Sequence, residues 1–363
     1  MGQTNKHRAA QGTTTTTETT YPGGLITQAY NNTQCFKVLG ACGTFLHGHK
    51  DGIAAAEVML VKQLLKAKSE TPKDSVFEDH TFDYICTRMA ERNETAVIQL
   101  IHRLIIPFAE IAVHRGQVSF KHLINSINEQ WDGCNSLEEP VQLMNSRALQ
   151  NGLPRPQPDY AVGFTITAFN AEQKRKLQPH LGGLNDTSFF KGTLGMLFPF
   201  LIAEAKSCTG TLESADRASS HSTTIAMRGV VHLYTAAKRA KELHRKVLAF
   251  SITHDHRSVR IYAHYPIIMG GATTYYRHLL ADFCFVVDDG EKRWIAYHFV
   301  MAVYNSWAPS HFRLLCSAID DLPELDFDSA SSLPGSGNAG EDGPQAEAEE
   351  AGAGTPDPAN NGI

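Results

Sequence analysis

The chain has 363 residues, 42% of them hydrophobic and 20% charged, with a formal net charge of −5. That length suits one large domain with tails or two domains, and no apolar run approaches the roughly 18–20 residues that span a bilayer. Seven cysteines (Cys35, Cys42, Cys86, Cys134, Cys208, Cys284, Cys316) are scattered without C-x-x-C or zinc spacing to histidine, and the N-terminus is too polar for a secretory signal, so the composition reads as a reduced, intracellular protein of nucleus or cytoplasm with no membrane segment.

The charge is unevenly spread. From Glu324 to Ile363 there are nine acids and no Lys or Arg. Removing those nine from 38 acids leaves 29 against 33 bases, so residues 1–323 carry about +4. The tail is rich in Ala, Gly, Pro and Ser and cannot bury enough apolar surface to fold. Residues 1–30, with the threonine tract Thr13–Thr17, and residues 323–363 therefore read as disordered tails around one domain at 31–322.

Within that domain, residues 31–130 read as mainly helical. Helices are expected at 53–67, stopped near Pro72, and at 81–91. Asn93 then N-caps a long amphipathic helix carrying Val97, Ile98, Ile101, Leu104, Ile105 and Phe108 at helical spacing, which Pro107 kinks or divides. A further helix is expected over 118–130. The segment Leu153-Pro-Arg-Pro-Gln-Pro-Asp159 is extended, because a residue before proline is pushed out of the helical region. It delivers the chain into a strand at 160–168, followed by an inserted helix at 171–181 and a Gly-rich turn.

The sheet core then follows, within 150–322. A buried strand runs into Glu204-Ala-Lys206. A helix is expected at 222–246, with its basic end matching the helix dipole. Strands 247–253 and 258–266 pair through the turn His254-Asp-His-Arg257. A second hairpin is expected from a strand at 283–287, a turn at Asp288-Asp-Gly290 and a strand beginning at Lys292. Helices at 297–307 and 310–321 close the domain.

The stretch Phe198-Pro-Phe-Leu-Ile-Ala-Glu-Ala-Lys-Ser-Cys208 carries the chemistry. Its apolar run is that of a strand buried on both faces, and alternation puts Glu204 and Lys206 side by side on one face. Burying two charges there is costly unless each has a partner. Either they form a structural ion pair, or the carboxylate holds a metal while the lysine manages a proton.

The order of a helix headed by Glu94, a strand preceded by Pro158-Asp159, a strand ending Glu204-Ala-Lys206, and then a long helix and more strands resembles the PD-(D/E)XK nuclease superfamily. The resemblance implies an α/β fold with a restriction-endonuclease-like core, a mixed central sheet flanked by helices, and here an N-terminal helical elaboration. Carried over by position, Asp159 is the motif aspartate, Glu204 and Lys206 are the (D/E)xK pair, and Glu94 is the acid at the head of the first core helix. These four would be catalytic, with Asp159, Glu204 and Glu94 holding Mg²⁺ or Mn²⁺. More closely, Arg92-Asn-Glu94, Arg155-Pro-Gln-Pro-Asp-Tyr160, Phe198-Pro-Phe200, Arg228-Gly-Val-Val231, the run from Ser251 to Tyr262, and Thr273-Thr-Tyr-Tyr-Arg-His278 resemble an uncharacterised fungal domain family over residues 31–322.

The implied function is metal-dependent hydrolysis of phosphodiester bonds, in DNA ahead of RNA. The alternative is a catalytically inactive nuclease-fold module that binds nucleic acid or protein. Arg228 on the helix after Lys206 could reach a phosphate or make a helix-surface salt bridge. Lys238 and Arg239 open a basic cluster that either tracks a nucleic-acid backbone or is a solvated helix end. His254 and His256 flank Asp255 at transition-metal spacing or form a turn cluster. No Walker loop, dinucleotide fingerprint or H-E-x-x-H is present, so no nucleotide cofactor is expected.

Overall fold

A computed structural model describes residues 29–137, 153–183 and 185–324. The expected tails fall, apart from residues 29, 30, 323 and 324, outside the described residues. Tyr30 is buried in the domain.

Six strands form one mixed sheet in simple sequence order. They are β1 (Leu123–Ile127), β2 (Tyr160–Phe164), β3 (Leu197–Ala205), β4 (Ala249–His254), β5 (Ser258–Met269) and β6 (Ala272–Cys284). All neighbours are antiparallel except β3 and β4, which run parallel. A parallel pair needs a crossover, and the helix that supplies it, Leu212–Ala236, covers one face of the sheet. No helix among the described residues is long and apolar enough to cross a membrane.

The helices in chain order are α1 (Cys35–Ala41), α2 (Ala55–Lys66), α3 (Asp79–Met89), α4, α5 (Ala109–His114), α6 (Ala171–Leu181), the crossover helix α7, α8 (Ile295–Ala302) and α9 (Ala308–Asp320). α4 runs in three contiguous pieces: Glu94–Val97, a π-helical turn at Ile98–His102, and Arg103–Ile105. Asn93 caps it by accepting from Ala96 N–H at 3.0 Å. The main core joins α2–α4, α8 and α9 to the sheet, with Trp307 packed on Phe200 and Phe250. A smaller core gathers Tyr30, Cys35, Trp131 and Cys134 with Ile202 of β3 and Ala218 and Ile225 of α7.

Five sequence expectations need correction. The segment 118–130 is no helix; it contains β1. Gly116, at φ 73°, ends the preceding turn, and Asn125 is caught by Glu110 at 2.6 Å and by the Tyr160 hydroxyl at 2.5 Å, which draws 123–127 onto β2. The strand at 160–168 ends at Phe164, and Ile166–Ala168 is a 3₁₀ turn. α7 runs from Leu212 to Ala236, so it starts and ends ten residues before the expected bounds of 222 and 246, and a 3₁₀ turn at Ala240–Leu243 follows it. Its run Ser219-Ser-His-Ser-Thr-Thr224 reads as a loop, yet every one of those residues is buried. Thr223 meets His264 of the sheet while His221 and Thr224 meet Tyr30 and Thr44 from outside it, so α7 is buried on more than one side and the usual apolar period is missing. Finally, β5 continues to Met269 and turns through Gly270-Gly271 into β6, which was not expected. Both glycines have positive φ, as a tight hairpin turn requires. Asp288–Gly290 is a 3₁₀ turn leading to α8, so the hairpin expected there does not exist.

α7 lies very close to the chain at Phe189. A Cβ on Gly229 would collide with the Phe189 carbonyl oxygen. Gly229→Ala should therefore destabilise the fold, because overpacking costs about 1–3 kcal/mol against a helix-propensity gain of about 1 kcal/mol. A thermal melt in which this variant is as stable as the parent would show that the contact is easily relieved.

Candidate active site

The extended proline segment is braced by the loop beside it. Trp131 N–H donates to the Pro156 carbonyl at 2.8 Å, Arg155 donates to the carbonyls of Asp132 and Cys134, and Asn128 N–H donates to the Asp159 carbonyl at 3.0 Å. Proline cannot donate, so these contacts come from the neighbouring loop and through side chains. Asp159 is thereby fixed immediately before β2.

Pairing of Tyr160 with Ala203 sets Asp159 opposite Glu204 on the same face of the sheet. Asp159 Oδ2 accepts from Ala205 N–H at 2.7 Å. Lys206 Nζ donates to the Ala205 carbonyl at 2.7 Å and lies 3.3 Å from Glu94 Oε1 and 3.9 Å from Glu204 Oε2. Glu94 comes from the first turn of α4, 112 residues before Lys206. The four residues singled out by sequence are therefore together. The side chains of Lys206 and Glu204 are 9% and 8% exposed and that of Glu94 is 36%, so the cluster opens on the Glu94 side.

Fully ionised, this cluster carries three negative charges and one positive. Burial pushes the Asp159 carboxyl up to about 6, against the pull of Lys206 and of the Ala205 N–H. Burial and then the charge of Asp159 hold Glu204 well above the usual carboxylate range. For Lys206, burial acts to lower the pKa, but Glu204, Asp159 and Glu94 outweigh it and the ammonium is held above its ordinary value. No hydrogen bond reaches the Glu204 carboxylate from any of the described residues, and its one ion-pair partner among them is Lys206.

The other candidates lie elsewhere. Arg228 donates to the Ser136 carbonyl at 2.9 Å and covers the Phe189 ring. Arg239 is paired with Glu242 at 2.8 Å and Asp321 at 2.6 Å, while Lys238 is exposed. Both follow the C-terminal end of α7, whose 25 residues span about 37 Å. His254 and His256 do not converge. His254 is buried and its Nε2 lies 2.8 Å from His102 Nδ1, whereas the Asp255 carboxylate caps the turn, accepting from Arg257 and Ser258 N–H at 2.7 Å each. Among the described residues no group of three or more His, Cys, Asp and Glu stands ready-made as a metal cage.

Sequence reasoning missed the second layer. The Tyr30 hydroxyl meets His221 Nδ1 at 2.7 Å; burial raises the phenol strongly, and the charge of Glu204 adds to the rise. The His102–His254 pair lies behind Ala205, which β4 pairs with His254. His254 Nδ1 faces the Asp255 carbonyl at 3.0 Å and so must donate to it. His254 Nε2 then accepts from His102 Nδ1–H, and His102 Nε2 remains a buried acceptor without a partner among the described residues. Nothing in the sequence pairs residues 102 and 254.

Residues 81–319 match a domain family of unknown function, DUF7924. The match covers well over half of the chain, and the chain belongs to this family. No curated protein matches it. No solved structure matches it either.

Two expected outcomes follow from the electrostatics. Removing one like charge should relieve the dyad, so Asp159→Asn and Glu204→Gln should each raise the melting temperature of the metal-free protein at pH 7–8, and an unchanged or lowered value in both would contradict this account. The second concerns acid. His102, His221, His254, His264 and His311 are held neutral by burial, with His254 lowered to about 4 and His221 and His311 to about 3. The unfolded chain protonates its histidines near 6.5, so the stability they contribute is complete above that pH and is lost as pH falls from 6.5 toward 4. Asp159, pushed up to about 6, and Glu204, also raised, act in the opposite sense and offset part of this loss. The net should be a loss of stability on acidification, read as a fall in denaturant midpoint between pH 6.5 and 4.5.

Proposed function

We propose that the chain is a metal-dependent nuclease built on a PD-(D/E)XK-type core, hydrolysing phosphodiester bonds of DNA, with RNA the less favoured substrate. The observation that carries this reading is the dyad of half-buried Asp159 and buried Glu204, set face to face by the β2–β3 register with Lys206 Nζ 3.9 Å from Glu204. The order of elements around it, an acid-headed helix, the two strands of the dyad, a crossover helix and a parallel strand, supports the same reading.

An oxygen-lined site whose net charge is −2 when fully ionised suits a hard divalent cation, Mg²⁺ or Mn²⁺, which takes carboxylates and retained waters as ligands. Asp159 and Glu204 would hold it and Glu94 would complete the set. When bound, such a cation neutralises phosphate charge and lowers the pKa of an attacking water. Lys206 is held charged by three carboxylates; once their charge is neutralised, burial alone remains and draws it toward the amine that can take a proton from water. Arg228, Lys238 and Arg239 would contact the nucleic-acid backbone away from the scissile phosphate, Lys238 most freely.

Incubation of the purified protein with supercoiled plasmid and with RNA, in Mg²⁺, Mn²⁺ and EDTA, tests the reading. Cleavage should be EDTA-sensitive. Lys206→Ala should lower it at least about 100-fold without rescue by excess metal, whereas metal should partly rescue Asp159→Asn and Glu204→Gln. Binding without cleavage by the parent chain would instead make it a nuclease-derived module for nucleic acid or protein.

A further inference from the structure

Many arginines of the domain are already engaged. Arg228 and Arg245 donate to backbone carbonyls, while Arg239, Arg260 and Arg277 reach carboxylates. Arg103 and Arg257 differ. Both are exposed, and neither side chain meets a carboxylate or a carbonyl among the described residues.

The topology puts both at the end of the sheet that holds the dyad. β2 begins at that end, and β3 and β4 finish there, since β2 runs against β3 and β3 runs with β4. The Arg103 guanidinium lies over the Phe108 ring, 5.3 Å from its centroid. Phe108 in turn stacks on Tyr160, the residue after Asp159. On the other side, Arg257 belongs to the turn that follows His254, and His254 pairs with Ala205 of β3. The Asp255 carboxylate holds that turn by accepting from the Arg257 and Ser258 N–H groups at 2.7 Å each. One arginine is thus on the β2 side of Glu204 and the other on the β4 side. Those two strands are two spacings apart, about 10 Å.

Asp159, Glu204 and Glu94 repel a polyanion, so a nucleic acid crosses these strand ends with least repulsion where cations beside the site hold its phosphates. Lys206 is occupied by Glu94 and the Ala205 carbonyl. Lys238 and Arg239 follow the far end of α7. We infer that Arg103 and Arg257 hold the DNA phosphates on either side of the dyad, with the backbone running across the strand ends from β2 to β4. The assignment rests on the nucleic-acid reading of the site. A guanidinium stacked on a ring keeps its N–H edge available for two phosphate oxygens, which suits Arg103 to this task.

The experiment is fluorescence anisotropy of the full chain with a labelled 8-base-pair DNA hairpin, titrated over about 50–200 mM salt, in Mg²⁺ and in EDTA. The stem is about 27 Å long, shorter than α7, so it cannot bridge from the dyad to Lys238. Arg103→Gln and Arg257→Gln should each weaken binding about 8-fold near 0.1 M salt and lower the log–log salt slope by about 0.9. Arg103→Lys and Arg257→Lys keep the charge and should keep the slope, which a merely structural role would not predict. Lys238→Gln should change neither quantity. If Arg103→Gln does not fold, Arg103→Met, which retains an apolar stem over Phe108, carries the same expectation. Parent-like affinity and slope in either glutamine variant, or an equal loss in Lys238→Gln, overturns the assignment while leaving the dyad reading intact. A folded parent chain that binds the hairpin in neither buffer overturns both.

Discussion

More carboxyl than ammonium groups are gathered where β2 meets β3, and most of the surrounding structure serves to hold them there. Two carboxylates on facing strand positions repel each other and lose their hydration together, so they stay in place only if the backbone gives them no alternative. The register of β2 against β3 provides that constraint. It is backed by the proline segment, whose rigid extension leaves Asp159 no freedom, and by the loop at 128–134 that clamps it. Lys206 neutralises part of the excess and is itself tethered by the Ala205 carbonyl and by Glu94.

The two faces of the sheet answer this constraint differently. One is an aromatic and aliphatic core, where Trp307, Phe200, Phe250 and Phe299 interlock. The other, under α7, is hydrogen-bonded: Thr223 and Ser251 share His264, Thr44 meets Thr224, and Asp216 collects four donors. Buried polar groups are costly unless satisfied, and most of the polar side chains of α7 are met by partners in this way. The charged cluster thus lies where the face is polar already.

Which parts were legible in the sequence follows from this division. The α4 N-cap, α6, the β4–β5 turn and the α8–α9 pair were readable because capping residues, turns and apolar spacing all act locally. Glu94, Asp159, Glu204 and Lys206 were readable through motif order, and the structure brings them together. The start of α7 was not, because its buried side chains are Ser, Thr and His, and hydrophobic periodicity has nothing to register there. β1 escaped because Asn125 is held by Glu110 and Tyr160, a tertiary contact that overrides local preference. β6 was missed although Gly270-Gly271 marks its turn; its alternation is weak because it is half exposed throughout. Tyr30, His102, His221 and Thr253 belong to contacts made across more than 30 residues of chain, which no local pattern encodes.

A greasy helix can slide on a sheet with little penalty, because dispersion and hydrophobic contact have no direction. α7 cannot. Moving it by one helical turn, about 5.4 Å, would break Asp216–Thr253, Thr223–His264 and Thr44–Thr224 at the same time. The helix therefore acts as a ruler, and the loop of residues 207–211 that joins it to Lys206 has a length dictated from its far side. In the evolution of such a chain, insertions would be expected to accumulate at the open β5–β6 tip and to be rare between Lys206 and Leu212, where one added residue would put the whole polar face out of step.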